Sequence, residues 1–267
     1  MNVQEYNRRS WNKLVDKGNV WTRPVTEAAV AAARKGEWAI VLSPTKPVPR
    51  DWFPADLADR DVLCLACGGG QQGPILAAAG ARVTVLDNSP KQLQQDETVA
   101  RRDGLNITTQ LGDMRDLSTF ADCSFDIVVH QAGAFVDSIR PVWMEAARVL
   151  RPGGALLSGH SNPIAYIFDL KAWNQGQLKV RHSIPYSDVE DLSQEELHAL
   201  VLDHDDPVCF GHSLHDLIQG QVDAGFAIAG FYEDKEGGGP LDPYIDSFIV
   251  TKAVKIEISS LQHGGKT

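Results

Sequence analysis

An apolar segment that runs directly into a glycine-rich turn is the feature that most constrains the fold of this chain. Residues 62–73 read VLCLACGGGQQG, and a helical pattern follows. Glycines in such a turn let the backbone approach a ligand closely, and the first turn of the next helix offers free N–H donors. Gly68, Gly70 and Gly73 satisfy the pattern GxGxxG. That pattern predicts an adenosine-containing ligand, but it does not separate a dinucleotide from other adenosine cofactors.

Short apolar strands alternate with helical stretches after Asp59, which is typical of a parallel sheet covered by helices on both faces. A helix at Ser213–Ala224 and strands at Phe226–Glu233 and Ile245–Ala253 would complete the sheet. The other predicted strands are Asp61–Ala66, Arg82–Asp87, Ile107–Leu111, Phe125–His130 and Gly154–His160, and the helices between them are Gln72–Ala79, Pro90–Asp103 and Arg140–Leu150.

Two segments fall outside this alternation. Residues 1–60 contain predicted helices at 3–17 and 24–35, followed by a connector with four prolines between residues 44 and 54. Prolines at that density exclude regular helix and give an extended, stiff chain. Residues 161–211 break the strand–helix rhythm and are predicted to be an insertion.

Composition restricts the partners and the location. The net charge of -10 disfavours a nucleic-acid partner, because phosphate neutralisation needs a basic face. No apolar run approaches the roughly 18 residues that span a membrane, and the N-terminus has no apolar signal core.

Cys64 and Cys67 form a CxxC pair, but no second pair accompanies it, so we predict no metal site. Four reduced thiols predict a cytoplasmic protein.

The residues around the strand ends narrow the choice of ligand. Strand two ends at Asp87, where a carboxylate can accept hydrogen bonds from both hydroxyls of a ribose. The motifs that follow are GDMRDL at 112–117, FDIVVHQ at 125–131 and RVLRPGG at 148–154. In this order, the set of motifs resembles class I S-adenosylmethionine-dependent methyltransferases. Within that class, the motifs most resemble the type 11 group, which acts on small molecules. The resemblance spans Val62–His160, with a weaker match near residues 225–234.

The resemblance implies that S-adenosyl-L-methionine is the cofactor, and it implies a role for each matching residue. The turn would wrap the methionine part, the acid of strand two would hold the ribose, and the turn after strand three would hold the adenine. These residues are Ala66, Cys67, Gly68 and Gly70 in the turn, Asp87 and Asn88 at the ribose, Asp113 and Met114 at the adenine, and Gln131 near the transferred methyl group. The chain departs from the family at Cys64, where an acid is usual, and at Ala66, where glycine is commonest.

Methyl transfer requires a nucleophile held in line with the methyl group in a dry site, and a base helps where the nucleophile loses a proton. The candidate bases are His130, His160, His212 and His215. His130 and His160 are predicted to be catalytic because both lie where the carboxyl ends of strands should meet the cleft. Trp11 and Trp21 are predicted to cover the cofactor and shield its sulfonium. The alternative is that both tryptophans pack the N-terminal segment onto the domain.

The expected fold is therefore α/β, a Rossmann-like three-layer αβα sandwich whose seven-stranded, mostly parallel sheet has an antiparallel last strand. Residues 1–60 would form a helical lid and proline-rich connector, 61–160 and 212–257 the cofactor-binding domain, 161–211 a substrate-side insertion, and 258–267 a frayed tail. The predicted function is methyl transfer to an O, N, S or C nucleophile of a small molecule. Two alternatives stay open: a nicotinamide-dependent oxidoreductase, and a regulator that binds S-adenosylmethionine without catalysis.

Overall fold

A seven-stranded sheet lies at the centre of the fold. The structure, a computed structural model, describes residues 1–256; the predicted tail and Glu257, the last residue of the predicted cofactor-binding domain, lie outside the described residues. The strands of the sheet are β1 (Asp61–Leu65), β2 (Arg82–Asp87), β3 (Ile107–Leu111), β4 (Phe125–His130), β5 (Leu150–Ser161), β8 (Phe226–Asp234) and β9 (Phe248–Lys255), while β6 (Tyr186–Ser187) and β7 (Phe210–Gly211) form a separate two-stranded sheet.

The strand order is β3-β2-β1-β4-β5-β9-β8. Strands β1 to β5 pair in parallel, and β9 runs antiparallel to both of its neighbours. The predicted fold class is thereby confirmed, including the antiparallel last strand. Parallel strands bring their carboxyl ends to one edge of the sheet, where ligands bind in open α/β folds.

Helices cover both faces of the sheet. The helices are α1 (Val3–Asp16), α2 (Glu27–Ala33), α3 (Gln72–Ala78), α4 (Pro90–Asp103), α5 (Arg140–Val149), α6 (Leu170–Trp173), α7 (Asp188–Asp191), α8 (Gln194–Leu200) and α9 (Gly220–Asp223). In β1, Leu63 and Leu65 pack into the core on the α5 side, whereas Val62 and Cys64 pack on the α3 and α4 side. This alternation fixes the register of β1 within the sheet.

Local sequence explains where α4, the helix that follows β2, begins and ends. The Ser89 hydroxyl accepts the N–H of Gln92 at 3.2 Å, which caps the first turn. Pro90 follows at the first helical position, where its missing N–H costs nothing. Gly104 ends the helix with a φ of 62°.

Several element boundaries differ from the sequence prediction by one to three residues, and three differences are larger or change the type of element. Strand β5 begins at Leu150 rather than Gly154, because Leu150 already pairs with Phe125; a bulge that includes Gly153, with a φ of 76°, follows before Ala155 pairs with Ile127. Strand β9 begins at Phe248, after a turn, rather than at Ile245. The predicted helix at 213–224 is a π-helical segment, His215–Gln219, followed by α9.

The proline-rich connector is packed, not free. The backbone N–H groups of Thr45 and Lys46 donate to the Asp234 carboxylate at 2.8 and 2.9 Å, which ties the connector to the end of β8. No helix within residues 1–256 combines the length and the apolar character needed to cross a membrane.

Candidate active site

A cavity of about 560 Å³ lies at the carboxyl edge of the sheet, between the glycine-rich turn, α1 and the segment that follows β5. Every residue that the sequence predicts for the site lines this cavity, except Gly70 and His130. The structure therefore brings together residues that are as far apart in sequence as Trp11 and His160.

The glycine-rich turn has a backbone shape that only some residues adopt. Gly69 and Gly70 have φ values of 112° and 72°, and Ala66 has a φ of 52° although it is not glycine. A Cβ atom at Gly68 would lie 2.7 Å from Gln92 Cβ and 2.9 Å from Asp87 Oδ2. The turn is thus a close-fitting cradle at one wall of the cavity, and it fits a cofactor that approaches the backbone.

Asp87 ends β2 beside this cradle, almost completely buried. Its carboxylate accepts the N–H of Gly68 at 3.0 Å and the N–H of Ser89 at 2.8 Å. Burial raises the pKa of Asp87 to about 6, against the lowering effect of these hydrogen bonds. Asn88, the next residue, donates from Nδ2 to the Gln4 carbonyl at 2.9 Å, so the N-terminal segment covers this side of the cavity.

The turn after β3 presents an ion-paired acid. Arg115 donates to the Asp113 carboxylate at 2.7 Å and to Asp137 at 2.6 Å. The neighbouring Met114 is buried and lines the cavity. Among the described residues, Arg115 is the only cationic side chain in the lining, and both of its ion pairs are with nearby acids.

The two predicted catalytic histidines are linked through one serine. His130 Nδ1 lies 2.9 Å from Ser158 Oγ, and the same oxygen lies 2.7 Å from His160 Nε2. His130 is fully buried below the cavity, and its Nε2 lies 3.4 Å from Met114 Sδ. His160 lines the cavity, and none of residues 1–256 hydrogen-bonds to its Nδ1.

Both histidines are neutral at neutral pH. Burial, together with the nearby His212, lowers the pKa of His130 to about 3. Burial also lowers the pKa of His160 well below its usual value, and the neighbouring His130 and His212 add to this effect. The indole of Trp143 stands edge-on to both imidazoles, with ring centroids 5.5 and 5.4 Å away.

The far end of the cavity consists of residues that sequence reasoning did not assign to the site. Leu42 comes from the connector, Tyr166 and Cys209 from the insertion, and Phe248 from β9. Tyr166 stacks on Tyr186 with ring centroids 5.8 Å apart. No local motif marks these positions, because they meet only when distant segments pack together.

Helix α1 closes the cavity from the side. Asn7 is buried and makes three hydrogen bonds: Nδ2 donates to the carbonyls of Phe135 and Val208, and Oδ1 accepts the Val208 N–H. Trp11 packs edge-on against Phe135 at 5.1 Å. Trp21 is 41% exposed, and its carbonyl lies against Gly69. The two tryptophans therefore both line the cavity and pack the N-terminal segment.

The CxxC pair lies inside the core. The four cysteines are free thiols, and Cys64 and Cys67 are both buried. The Cys67 thiol donates to the carbonyls of Leu65 and Val129. Burial raises the pKa of both thiols. No group of three metal-ligating side chains occurs in the described part of the chain.

Comparison with known proteins gives consistent similarities. A family model described as a methyltransferase domain matches residues 63–158. An uncharacterized methyltransferase of Bacillus subtilis (strain 168), YbaJ, is 53% identical over 252 residues, or 94% of this chain and 98% of that protein. An S-adenosylmethionine-dependent methyltransferase from Mesorhizobium loti has a TM-score of 0.58 at 20% identity, covering 77% of this chain and 95% of that one. A 1,6-didemethyltoxoflavin-N1-methyltransferase from Burkholderia thailandensis has a TM-score of 0.54 at 14% identity, covering 95% and 88%.

Proposed function

This chain belongs to the methyltransferase family, with S-adenosylmethionine as its methyl donor, and we propose that it methylates an O–H or N–H group of a neutral, largely apolar small molecule. The observation that carries the proposal is His160, a residue of the cavity lining whose Nδ1 has no hydrogen-bond partner among residues 1–256. Family membership favours this function over a nicotinamide-dependent oxidoreductase and over a non-catalytic regulator.

The residues at the sheet edge fit the cofactor, which supplies a methyl group already activated on a sulfonium. Ala66, Cys67 and Gly68 would hold its methionine part against the cradle. Asp87 and Asn88 would hold the ribose. Asp113 and Met114 would contact the adenine, and Gln131 would lie near the methyl group. Gln131 is held for that role by Gln72, whose Nε2 donates to its Oε1 at 3.2 Å. Gly70 lies outside the lining, so we assign it to the shape of the turn.

The hydrogen bonds below the cavity determine which nitrogen of His160 carries its proton. A thioether sulfur is an acceptor, so the contact with Met114 places a proton on His130 Nε2. His130 Nδ1 then accepts the Ser158 hydroxyl proton, and the Ser158 oxygen accepts an N–H from His160 Nε2. His160 Nδ1 is left with a free lone pair on the cavity side. His130 is thus a positioning residue, and His160 is the group that meets the acceptor.

That lone pair suits an acceptor with an O–H or N–H group. The acceptor's proton passes to His160 Nδ1 as the nucleophile forms its bond to the methyl carbon. The reacting groups together carry one positive charge before and after the step, since the imidazolium forms as the sulfonium charge is lost. The low pKa of His160 is therefore compatible with its role as base, because no net charge is created in a buried site.

The rest of the lining indicates a neutral acceptor. Leu42, Tyr166 and Phe248 offer apolar and aromatic surface at the far end of the cavity. Arg115, the only cationic side chain among the described lining residues, is already paired with two acids, so none of these side chains offers an unpaired cation to a carboxylate or phosphate. We further propose that segments 1–60 and 161–211 form the cover over the acceptor, which is supported by their contribution of Leu42 and Tyr166.

Labelled methyl transfer tests this function. The protein is incubated with S-adenosylmethionine labelled in its methyl group and with phenols, alcohols and amines, each paired with its carboxylated or phosphorylated counterpart. Label is expected on the neutral member of a pair, and transfer confined to the anionic members would refute the acceptor class. His160→Gln is expected to lower kcat by roughly 100-fold, the usual scale for a lost base. His215→Gln makes the same change at an exposed histidine and should leave kcat unaltered.

The tautomer of His160 can be measured without any acceptor. In ¹⁵N-histidine spectra, Nδ1 of His160 is expected to be unprotonated and Nε2 protonated. Ser158→Ala removes the shared hydroxyl and should let both tautomers appear. A protonated Nδ1 in the native protein would remove His160 as the base.

A cytoplasmic location is part of the proposal. The four free thiols support it, since disulfides form in oxidising compartments and are rare in the cytoplasm. Cell fractionation that places the native protein outside the cytoplasm would contradict it.

A further inference from the structure

A buried acid on α4, Asp96, holds the glycine-rich turn from behind. Its side chain is completely buried, and Oδ2 accepts the N–H of Gly69 at 3.0 Å and the N–H of Gly70 at 3.1 Å. No cationic side chain among residues 1–256 pairs with it, and its Oδ1 has no hydrogen-bond partner there. Burial raises the pKa of Asp96 to about 8, so the group is largely protonated at neutral pH.

Three consecutive N–H groups of the turn are thus held by two acids. Gly68 donates to Asp87, while Gly69 and Gly70 donate to Asp96. Buried N–H groups need such partners, because an unpaired donor in the interior costs free energy. The left-handed φ values of Gly69 and Gly70 aim both donors at the same oxygen. The shape of the cradle consequently depends on a residue that lies outside the cavity lining.

Asp96 lies close to the position where the chain departs from its family pattern. Cys64 stands where an acid is usual, and its side chain packs on the sheet face that α4 covers. Burial raises the pKa of Cys64, and the charge of the Asp96 carboxylate adds to this effect. A Cβ atom at Gly73, on the far side of the turn, would lie 3.2 Å from Asp96 Oδ1.

We propose that Asp96 is a positioning residue for cofactor binding, which holds the turn from α4 and replaces the acid that position 64 lacks. The turn is preformed by this contact and does not depend on the cofactor for its shape. An apolar side chain at this position would be easier to bury than a carboxyl group. It would leave the N–H groups of Gly69 and Gly70 unpaired.

Substitutions at Asp96 separate positioning from simple packing. Asp96→Asn keeps an acceptor oxygen for both N–H groups and is expected to bind S-adenosylhomocysteine within threefold of the native protein. Asp96→Leu removes the acceptor and is expected to weaken binding at least tenfold by calorimetry. Val99→Ala, in the same buried face of α4, should lower Tm without changing the affinity. An Asp96→Leu protein that binds within threefold of native would overturn the proposal.

Hydrogen exchange in the ligand-free protein gives a second readout. The amides of Gly69 and Gly70 should exchange faster in Asp96→Leu than in the native protein, and at the native rate in Val99→Ala. If Asp96→Leu does not fold, Asp96→Ser is judged by the same two measurements. Adding Cys64→Asp to the Asp96 variant that binds weakly should restore part of its affinity for S-adenosylhomocysteine. If the affinity does not recover, Asp96 does not replace the acid that position 64 lacks. If the exchange of the Gly69 and Gly70 amides is unchanged, Asp96 does not hold the turn in position.

Discussion

At the scale of single residues, the burial of Asp87 makes cofactor affinity depend on pH. Its pKa of about 6 in the free protein means that the carboxyl group begins to hold a proton just below neutrality. The ionised form can accept both ribose hydroxyls, so binding favours it and releases a proton below pH 6. We expect the Kd for S-adenosylhomocysteine to rise by up to tenfold per pH unit as the pH falls below 6.

Calorimetry between pH 5 and 8 measures this dependence. Asp87→Asn should bind more weakly than the native protein at pH 8 and show little change of affinity below pH 6. Asp96→Asn removes the other buried acid that holds the turn. The same titration with this variant shows how much of the pH dependence of the Kd comes from Asp96. A native Kd that is flat from pH 8 to pH 5 would exclude Asp87 as the ribose acceptor.

The same residues show how far sequence reasoning reaches. Asp87 was predictable because it ends an apolar strand beside a glycine-rich turn, which is a local pattern. His130 and His160 both lie at the carboxyl ends of their strands, and only packing shows that His160 lines the cavity and His130 lies below it. The burial of Asp96 was also predictable, because Asp96 stands three residues from both Leu93 and Val99, and helical spacing places all three on one face of α4.

At the scale of elements, most of the hydrogen bonds that join the first half of α1 to the rest of the described protein come from one residue. Asn7 supplies three of them, to Phe135 and Val208. We expect Asn7→Ala to cost about 1–3 kcal/mol in the docking of α1, because it leaves buried backbone groups unpaired. Hydrogen exchange over residues 3–16 should become faster, and S-adenosylhomocysteine should dissociate faster.

A matched substitution separates docking from general stability. Asn174→Ala makes the same change at an exposed asparagine in the insertion and should alter neither rate. Exchange over β1 and β4 should stay slow in both variants, since these strands lie in the centre of the sheet. Unchanged exchange over α1 in Asn7→Ala would mean that the helix is held by its packing alone.

Element boundaries were predictable where the apolar pattern is unbroken. Strands β2, β3 and β4 have the predicted bounds because their runs of apolar or β-branched residues end at clear turns. Strand β5 begins earlier than predicted because Leu150 pairs with Phe125 of β4, while Arg151-Pro152-Gly153-Gly154, which has the composition of a turn, forms a bulge before pairing resumes at Ala155. Pairing on both sides therefore continues the strand across a local turn signal.

At the scale of the whole molecule, buried ionisable groups set the dependence of folding free energy on pH. The raised pKa of Asp96, about 8, means that the native protein holds a proton that the unfolded chain loses above pH 4. Asp87 and Asp96 both lower the free energy of unfolding as the pH rises, Asp87 only up to about pH 6. His130 and His160, with lowered pKa values, instead raise the free energy of unfolding as the pH rises to about 6.5. Between pH 6.5 and 8, Asp96 is the main remaining contribution.

In that window the native protein should lose stability as pH rises. The expected fall in the free energy of unfolding is about 1–2 kcal/mol, from ~1.4 kcal/mol per pH unit for one proton. Asp96→Asn cannot ionise and should show a flat profile between pH 6.5 and 8. Urea unfolding at half-unit steps measures both curves, and parallel curves would show that Asp96 is ionised in the native state.

The cofactor half and the acceptor half of the cavity differed in how well the sequence predicted them. The cofactor half follows the continuous stretch from Val62 to Gln131, where each motif sits at its own strand end. The proposed acceptor half combines Leu42, Tyr166, Cys209 and Phe248, which belong to three separate segments: the connector, the insertion and β9. Periodicity carries no information about such long-range packing, so the acceptor surface required the structure.

The crossing of the connector over β5 has a consequence for how relatives of this protein can diverge. A Cβ atom at Gly159 would collide with the carbonyl oxygen of Leu42, and both residues line the cavity. A larger residue at position 159 therefore becomes acceptable only in a lineage whose connector has already shifted. Among homologous sequences, position 159 and the stretch around position 42 should change together, and new acceptor specificities should arise through paired substitutions there.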